Sequence, residues 1–178
     1  MGFAFAQPIL QTDMAAKRTP ALDRLDVKIL AALQRSGRAT FAELGERAGL
    51  SPRATLERVR RLEAAGIISG YQALIELRRI ARTVTVFAEI FLEKHANRGR
   101  FEKRLASLDA VIECWEVSGA VDYVARFVCT DLATYEELTS AIIDDAQLGV
   151  ARIVSHVTLR PVCRFAGYPE SLLAGKPD

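Results

Sequence analysis

One stretch of the sequence, Thr40 to Gly66, restricts the possible folds of this chain more than any other. Its pattern predicts two short helices joined by a tight turn. Thr40 is followed three residues later by Glu43, and this pair is typical of the capping box that begins a helix. Gly49 then suits the left-handed backbone conformation that ends one. Gly66 stops the second helix, so the segment predicts a helix-turn-helix unit.

The second helix of this unit carries clustered positive charge. Ser51 is a suitable N-cap, and Pro52 falls at the first helical position, where proline is tolerated. Four arginines and two glutamates follow before Gly66, so the segment is net +2. Arginine forms bidentate hydrogen bonds with guanine and also binds phosphate, which suits the major groove of DNA. The alternative is a surface helix whose arginines only face water. The predicted buried face consists of Leu56, Val59 and Leu62.

A preceding helix completes a three-helix head. It begins near Leu22 and carries an apolar stripe at helical spacing. In a helix-turn-helix the second helix of the motif enters the major groove, while neighbouring positions contact the DNA backbone. We therefore expect contacts from the start of each helix of the motif and from the exposed side of the second. The predicted DNA-binding residues are Arg38, Thr40, Ser51, Arg53, Ala54, Thr55, Glu57, Arg58, Arg60 and Arg61.

Composition argues against several other classes of protein. The formal net charge is only +2, so the clustering of arginines, and not the total charge, indicates a nucleic-acid partner. No apolar run approaches the ~18 residues of a membrane span. The three cysteines have no CxxC spacing, which argues against a disulfide framework and a zinc site, and we expect buried thiols. We find no nucleophile-base pair, so we predict no enzymatic activity, no cofactor and no metal.

The second half of the chain predicts alternating strands and helices. From Thr83 to Glu93 the side chains alternate, with Val84 and its period-two neighbours on one face and Phe87 and Phe91 on the other. The remaining predicted elements are a helix over 97–107, strands over 111–118 and 121–129, a helix over 131–145 and a strand over 150–159. This β-α-β-β-α-β order is that of the ferredoxin-like unit.

Such a unit covers one face of a four-stranded sheet with two helices and leaves the other face bare. The bare face carries either Phe87 and Phe91 or the side chains that include Val84. Either set is too apolar to remain in water. We therefore predict that a second copy covers this face, which makes the protein at least a dimer. The alternative is that Phe87 and Phe91 belong to a loosely packed core.

The predicted fold class is α+β, a winged helix-turn-helix head followed by a ferredoxin-like domain. The apolar start of the chain lacks the basic region and the cleavage site of a signal peptide, and Met14 resembles an ordinary start. The predicted organisation is a disordered extension over 1–20, the head over 21–66, a short strand and linker over 67–82, the ferredoxin-like domain over 83–160 and a tail over 161–178.

Over roughly residues 22–160 the sequence resembles the leucine-responsive and asparagine-responsive regulators, the Lrp/AsnC family. The first helix matches the family's LDxxDxxIL start through Leu25-Asp26 and Ile29-Leu30. In the second half, Val117 to Gly119 followed by Asp122-Tyr123 looks like the family's glycine-x-x-aspartate turn. Further matches are Leu33, Gly37-Arg38, Leu50-Ser51, Arg58-Val59, Leu62-Glu63, Gly66 to Ile68, Gly70-Tyr71, Gly149-Val150 and Thr158.

The resemblance implies dimers formed by the C-terminal domains, often four dimers in a ring, with an amino acid bound between subunits. It places the effector site at the turn Ser118, Gly119, Ala120, Val121 and Asp122. Backbone N–H groups at the glycine would receive the carboxylate of the ligand, and the aspartate would bind its ammonium group. The family commonly has an acidic or polar residue directly after the glycine, where this chain has Ala120. The alternative is that Asp122 only ends a hairpin.

These observations predict a sequence-specific DNA-binding transcriptional regulator that a small effector, by resemblance an amino acid, modulates. We expect it in the cytoplasm, associated with the nucleoid, with no membrane partner. We expect it to bind an inverted-repeat operator in double-stranded DNA as a dimer or a ring of dimers. The alternative is an architectural DNA-binding protein that compacts DNA without an effector.

Overall fold

The computed structural model describes residues 21–174. The predictions for residues 1–20, including a start at Met14, lie outside these described residues. The described chain forms two compact units, one made of residues up to 74 together with residues 163–174, and the other of residues 75–162. No helix within the described range is long and apolar enough to cross a membrane.

The first unit is a helical head in which the predicted caps are present. Asp23 caps α1, and the carboxylate of Asp26 accepts a hydrogen bond from the Asp23 N–H in return. Thr40 and Glu43 form the predicted capping box of α2, and Ser51 caps α3. Gly49 has φ 75°, in the left-handed region. The helices of this unit are α1 (Arg24–Arg35), α2 (Phe41–Ala48), α3 (Pro52–Ala64) and, from the C-terminal tail, α6 (Glu170–Leu173).

The buried face of α3 differs from the predicted one. Thr55 is fully buried, whereas Leu56 is only half-buried. The reason is a close approach between α2 and the turn, where a Cβ on Gly45 would lie 2.6 Å from the Leu50 carbonyl oxygen and 3.1 Å from Thr55 Oγ1. The buried hydroxyl donates to the Ser51 carbonyl oxygen at 3.0 Å, so its burial leaves no unsatisfied donor. The core of the head is formed by Ile29, Leu30, Ala32, Leu44, Ala48, Val59 and Leu62.

The C-terminal tail packs on the last turns of α1, although its sequence has no clear period. The Gln34 side-chain amide donates to the Tyr168 carbonyl oxygen at 3.1 Å and accepts from the Tyr168 N–H at 2.6 Å. Gly167 has φ 104°, and a Cβ there would meet Gln34 at 3.0 Å. Leu173 packs against the apolar core of the head. The tail is therefore part of the head unit.

The segment after α3 does not form the short strand that the sequence predicted. Residues 67–76 have neither helix nor strand in the structure, and they are followed by a single 3-10 turn, Leu77–Arg79. The prediction was wrong because the segment pairs with no neighbouring strand in the described chain, and an extended sequence needs such a partner to form a sheet.

The second unit has the predicted β-α-β-β-α-β order. Its four strands form an antiparallel sheet in the order β2-β3-β1-β4. Asn97 caps α4 and Asp131 caps α5 through their side chains. The elements are β1 (Val84–Leu92), α4 (Arg98–Ala106), β2 (Val111–Glu116), β3 (Tyr123–Cys129), α5 (Leu132–Asp144) and β4 (Val150–Val157).

One face of this sheet is buried under α4 and α5. Val86, Ala88 and Ile90 of β1 are fully buried and lie opposite Phe127, Ala125 and Tyr123 of β3. Phe101 of α4 packs on Tyr123 with ring centroids 4.9 Å apart, and Tyr135 of α5 packs edge-on against Phe127 at 5.4 Å. These contacts fix which face of each strand points away from the helices.

The opposite, open face is the one that carries Phe87 and Phe91. Phe87 is 39% exposed in the isolated chain, so of the two faces allowed by the sequence the Val84 side is the packed one. The Arg152 guanidinium lies 3.8 Å from the centroid of the Phe91 ring. Arg126 pairs with Glu113 at 3.0 Å on this face. The open face therefore mixes aromatic side chains with paired charges.

Candidate functional site

The first half of α3 presents a surface for a partner. Ser51, Arg53, Glu57 and Arg60 are exposed and Ala54 is half-buried. Arg53 pairs with Glu57 one turn later at 3.4 Å, a contact between two exposed side chains that contributes little to stability. Arg53 can therefore leave it for a phosphate or a base at small cost.

A shallow depression of about 380 Å³ lies beside this surface. Its lining combines apolar positions, Leu50 and Ala54, with the charged Glu57, Arg58 and Arg61. Apolar side chains contact the methyl group of thymine, and arginine contacts guanine, so the depression has the chemistry that base edges require. Leu50 was not among the predicted DNA-binding residues, and its half-exposure here adds it to the candidate interface.

Two of the predicted DNA-binding arginines are held by a buried carboxylate. Arg58 Nη1 donates to Asp26 Oδ1 at 2.8 Å and to Asp23 Oδ2 at 2.6 Å. Arg61 Nη2 donates to Asp26 Oδ2 at 2.5 Å. Asp26 is fully buried, and the Arg58 side chain is only 24% exposed. The N–H of Asp26 and the Arg58 guanidinium together lower the pKa of Asp23.

This arrangement corrects two expectations about α3. Arg58 does not lie on an exposed stripe, because it anchors α3 to the start of α1. Thr55 is fully buried and is not available for a DNA contact. Arg38 and Thr40 are exposed, as a contact requires, although the Thr40 hydroxyl is engaged by Glu43 in the capping box. Arg60 is the exposed arginine of α3 that pairs with no carboxylate among the described residues.

The predicted effector turn lies between β2 and β3 in the second unit. Ser118, Gly119 and Ala120 are exposed, and Val121 and Asp122 are half-buried. Gly119 has φ 128°, which disfavours any other residue, and its Cα faces open space. The turn is closed by the Val117 N–H, which donates to the Asp122 carbonyl oxygen at 3.0 Å. A ligand can therefore approach the backbone at Gly119 without obstruction from other residues of the same subunit.

Asp122 is already engaged within its own subunit. Its Oδ2 accepts from the Leu92 N–H at 2.9 Å, and its Oδ1 accepts from Arg98 Nη2 at 2.6 Å. The Leu92 N–H, and after it the Arg98 guanidinium, lower the pKa of this carboxyl group. Arg98 also donates to Glu116 at 3.0 Å. The Asp122 carboxylate thus accepts one hydrogen bond from the backbone and one from the Arg98 side chain. A ligand ammonium group can replace Arg98 in the second of these bonds.

Arg98, which pairs with Asp122, is not among the predicted effector-binding residues. It is the first residue of α4, and no local pattern brings it together with Asp122, because the contact depends on how α4 packs on the sheet. Tyr123, next to the turn, donates its hydroxyl to Glu102 at 2.7 Å. Burial and this carboxylate raise the pKa of Tyr123 to about 12.

The other groups in the described residues that could form a site are possible metal ligands and the cysteine thiols. Among the described residues, no three His, Cys, Asp or Glu side chains come together as metal ligands. Cys129 is buried as expected, but Cys114 and Cys163 are exposed, so the expectation of three buried thiols was wrong. Cys163 lies in the tail, in a segment that is neither helix nor strand.

Comparison with known proteins identifies both units. Residues 22–63 match the AsnC-type helix-turn-helix domain, and residues 85–167 match the Lrp/AsnC ligand binding domain. The Bkd operon transcriptional regulator of Pseudomonas aeruginosa is 38% identical over 143 residues, which is 79% of this chain and 93% of the relative. The leucine-responsive regulatory protein of Escherichia coli (strain K12) is 40% identical over 131 residues, 69% of this chain and 77% of the relative.

The fold of this chain is also similar to that of a solved transcriptional regulator. The transcriptional regulator of Neisseria meningitidis in complex with L-Met superposes with a TM-score of 0.76 at 29% identity, covering 85% of this chain and 99% of that one. The predicted α+β fold and the predicted resemblance are thereby confirmed, except that no strand follows α3 in the described residues to form the wing of the head. With a helix-turn-helix head, a ligand-binding domain and relatives that match over most of their length, this chain belongs to the Lrp/AsnC family of transcriptional regulators.

Proposed function

We propose that the protein recognises an operator through α3 and that the bound DNA contacts Arg38, Arg53, Ala54, Glu57 and Arg60. The observation that carries this proposal is the exposed, capped first half of α3, whose other face is fixed in the head core. Ser51, Thr40 and Arg61 lie beside these residues, with Arg61 half-exposed despite its bond to Asp26.

Selection of duplexes from a random library, followed by footprinting of the full-length protein on the selected sites, tests this proposal. We expect a defined motif with two symmetric half-sites, about one helical turn or a multiple of it apart, because a symmetric dimer presents two heads. Recovery of duplexes with no common motif would instead support the architectural alternative.

We further propose that the effector is an α-amino acid bound at the turn that contains Gly119 and Asp122. The ligand carboxylate would accept hydrogen bonds from backbone N–H groups at Gly119, and its ammonium group would replace Arg98 at Asp122 Oδ1. Support comes from the match to a ligand-binding domain and from the similar regulator that was solved with L-Met. Ala120 and Val121 offer no polar side chain, so selectivity depends on residues of a neighbouring subunit.

The effector is identified by a thermal-shift screen of the twenty amino acids, because a ligand that binds only the folded state stabilises it by RT ln(1 + [L]/Kd). Calorimetry on Asp122→Asn then tests the site, since asparagine preserves an acceptor for the Leu92 N–H but removes the charge. We expect a loss of affinity of at least tenfold. Asp109→Asn, an exposed carboxylate after α4, is the matched control and should bind as the wild type does. Equal affinity in both variants would exclude Asp122 from the site.

We propose that two copies pair through the open face of the sheet, and that dimers associate further into a ring. Support comes from the exposed Phe87 and from the Arg126–Glu113 pair beside it, a mixture suited to a specific interface. In full-length protein, Phe87→Glu should reduce the mass measured by light scattering. Leu132→Glu, which adds the same charge at a position on α5 that is 49% exposed against 39% for Phe87, should leave the mass unchanged.

The two relatives named above also support one expectation about catalytic activity and one about location. They are transcriptional regulators, so we expect no catalytic activity from this chain. They are bacterial proteins that act on DNA, so we expect this protein in the cytoplasm, on the nucleoid. Footprints made with and without the identified amino acid separate the two candidate functions, since only an effector-modulated regulator changes its occupancy when the ligand is added.

A further inference from the structure

Three arginines follow the head in a short, exposed stretch of chain. Arg78 and Arg79 lie in the 3-10 turn, and Arg82 follows it. All three side chains are exposed, and none has an ion pair or a hydrogen-bond partner within the described part of the chain. Between residues 67 and 88 they are accompanied by a single acidic residue, Glu76, so this stretch is net +2.

The backbone of the turn keeps these charges close together. The Arg79 N–H donates to the Glu76 carbonyl oxygen at 3.0 Å, and the N–H groups of Ile80 and Ala81 both donate to the Leu77 carbonyl oxygen at 2.9 Å. Arg78 and Arg79 are therefore adjacent on one helical turn, with Arg82 three residues further. Three like charges repel one another, so this arrangement is stabilised when an anion lies among them.

Most arginines of α3 are already paired with carboxylates, so other elements must supply part of the positive charge that neutralises phosphate. Arg58 and Arg61 are committed to Asp26, and Arg53 is paired with Glu57. Only exposed arginines without such partners can neutralise phosphate without first losing an ion pair. Because phosphate contacts supply most of the salt-dependent affinity of DNA-binding proteins, the supply of unpaired cations near the head limits that affinity.

The length of the intervening chain limits how far the three arginines can lie from the end of α3. From Ala65, which ends α3, to Arg78 the chain spans at most about 50 Å even when it is fully extended. A duplex carries one negative charge per roughly 1.7 Å of its axis, so phosphates that flank a half-site lie within that distance. Guanidinium groups bind phosphate oxygens in bidentate geometry, which lysine cannot reproduce.

We propose that Arg78, Arg79 and Arg82 form a second DNA contact, which binds the phosphates flanking the half-site without reading sequence. This inference rests on the proposed operator binding by α3 and adds a separate surface to it. The contact strengthens binding to every duplex equally, so it changes affinity and salt dependence and leaves the preference for the operator unaltered.

The test compares full-length proteins on one duplex selected by the wild type and on a scrambled duplex of the same composition, over a series of salt concentrations. The variant Arg78→Gln/Arg79→Gln/Arg82→Gln removes the three charges. We expect the slope of log K against log salt concentration to become shallower by about 0.9 per lost phosphate contact, which is up to about 5.4 on both duplexes because each of the two subunits of a bound dimer loses three contacts. The ratio of the two affinities should not change.

A matched control removes three charges elsewhere in the same unit. Arg100, Lys103 and Arg104 of α4 are all exposed, and their replacement by glutamine should leave the slope at its wild-type value. Replacing Arg78, Arg79 and Arg82 by lysine should retain most of the slope. If the glutamine triple variant does not fold, the single variants serve, each with an expected change of about 0.9 per bound subunit, or about 1.8 for a dimer.

Two results would overturn the proposal: an unchanged slope in the linker variants, or an equal change in the α4 control, which would show a general effect of net charge. Failure of the proposed function has a different signature, because the wild-type protein itself would then select no preferred duplex.

Discussion

The buried carboxylate of Asp26 offers the sharpest test of how the head is held together. It accepts hydrogen bonds from Arg58, from Arg61 and from the Asp23 N–H, and it is fully removed from water. In the variant Asp26→Ala, α1 loses half of its capping box, and α3 loses the buried part of its link to α1 and keeps only the Arg58–Asp23 pair. We expect the head to be destabilised while the second unit is unaffected.

The magnitude follows from the exposure of the two arginines. Removing one partner of a fully buried ion pair typically costs about 3–5 kcal/mol, because the other charge is left without compensation. Here Arg61 is half-exposed and Arg58 retains Asp23 at 2.6 Å, so neither guanidinium is left without water or a partner. The lower end of that range, about 3 kcal/mol, is therefore expected. Asp26→Asn keeps one acceptor and should cost about half as much.

The chain provides its own assay for this prediction. Its single tryptophan, Trp115, lies in β2 of the other unit, so tryptophan fluorescence follows that unit, whereas far-ultraviolet circular dichroism follows helices in both. In urea, Asp26→Ala should move an early helical transition to lower concentration without moving the Trp115 transition. Glu46→Ala, an exposed carboxylate on α2, is the control and should change stability by no more than about 0.5 kcal/mol. If Asp26→Ala is as stable as this control, the ion cluster does not hold α3.

Three further outcomes are expected. Arg60→Ala should weaken operator binding without changing stability. The loss should be about 1–3 kcal/mol at one base position if Arg60 reads guanine, whereas the salt slope should become shallower by about one per bound subunit if it binds phosphate. Equal binding to wild type would place another face of α3 in the groove. Gln34→Ala should release the tail, because it removes both hydrogen bonds to Tyr168, and limited proteolysis should then cut the tail faster than in the wild type. Tyr123 should deprotonate near pH 12 in spectrophotometric titration. Because the pKa of Tyr123 is raised on folding, the free energy of unfolding should fall as pH rises from about 10 to about 12. Titration of Tyr123 near pH 10 in the native protein would contradict this.

The parts of the structure that the sequence predicted are those determined locally. Ser51 and Pro52 define the start of α3 within a few residues of chain, and the alternation along β1 depends only on its own side chains. Such signals allowed the caps, the element order and the fold class to be predicted before any tertiary contact was known.

The parts that it did not predict depend on contacts between distant residues. The face of α3 is set by the close packing at Gly45, which no pattern within α3 reveals. Arg58 meets Asp26, and Asp122 meets Arg98, only after helices have packed. An exposed arginine and a buried one look alike in a sequence, so the predicted DNA-binding set included Arg58 together with Arg60.

The docking of the tail on α1 has a consequence for the order of events during synthesis. Residues 75–162 are complete before the ribosome has made the segment from Cys163 to Leu173, which packs on the head. Since domains fold as units while the chain emerges, the ligand-binding unit can mature before this segment reaches the helices of the head. A nascent product would thus carry its ligand-binding unit before the DNA-binding unit gains the packing of Leu173.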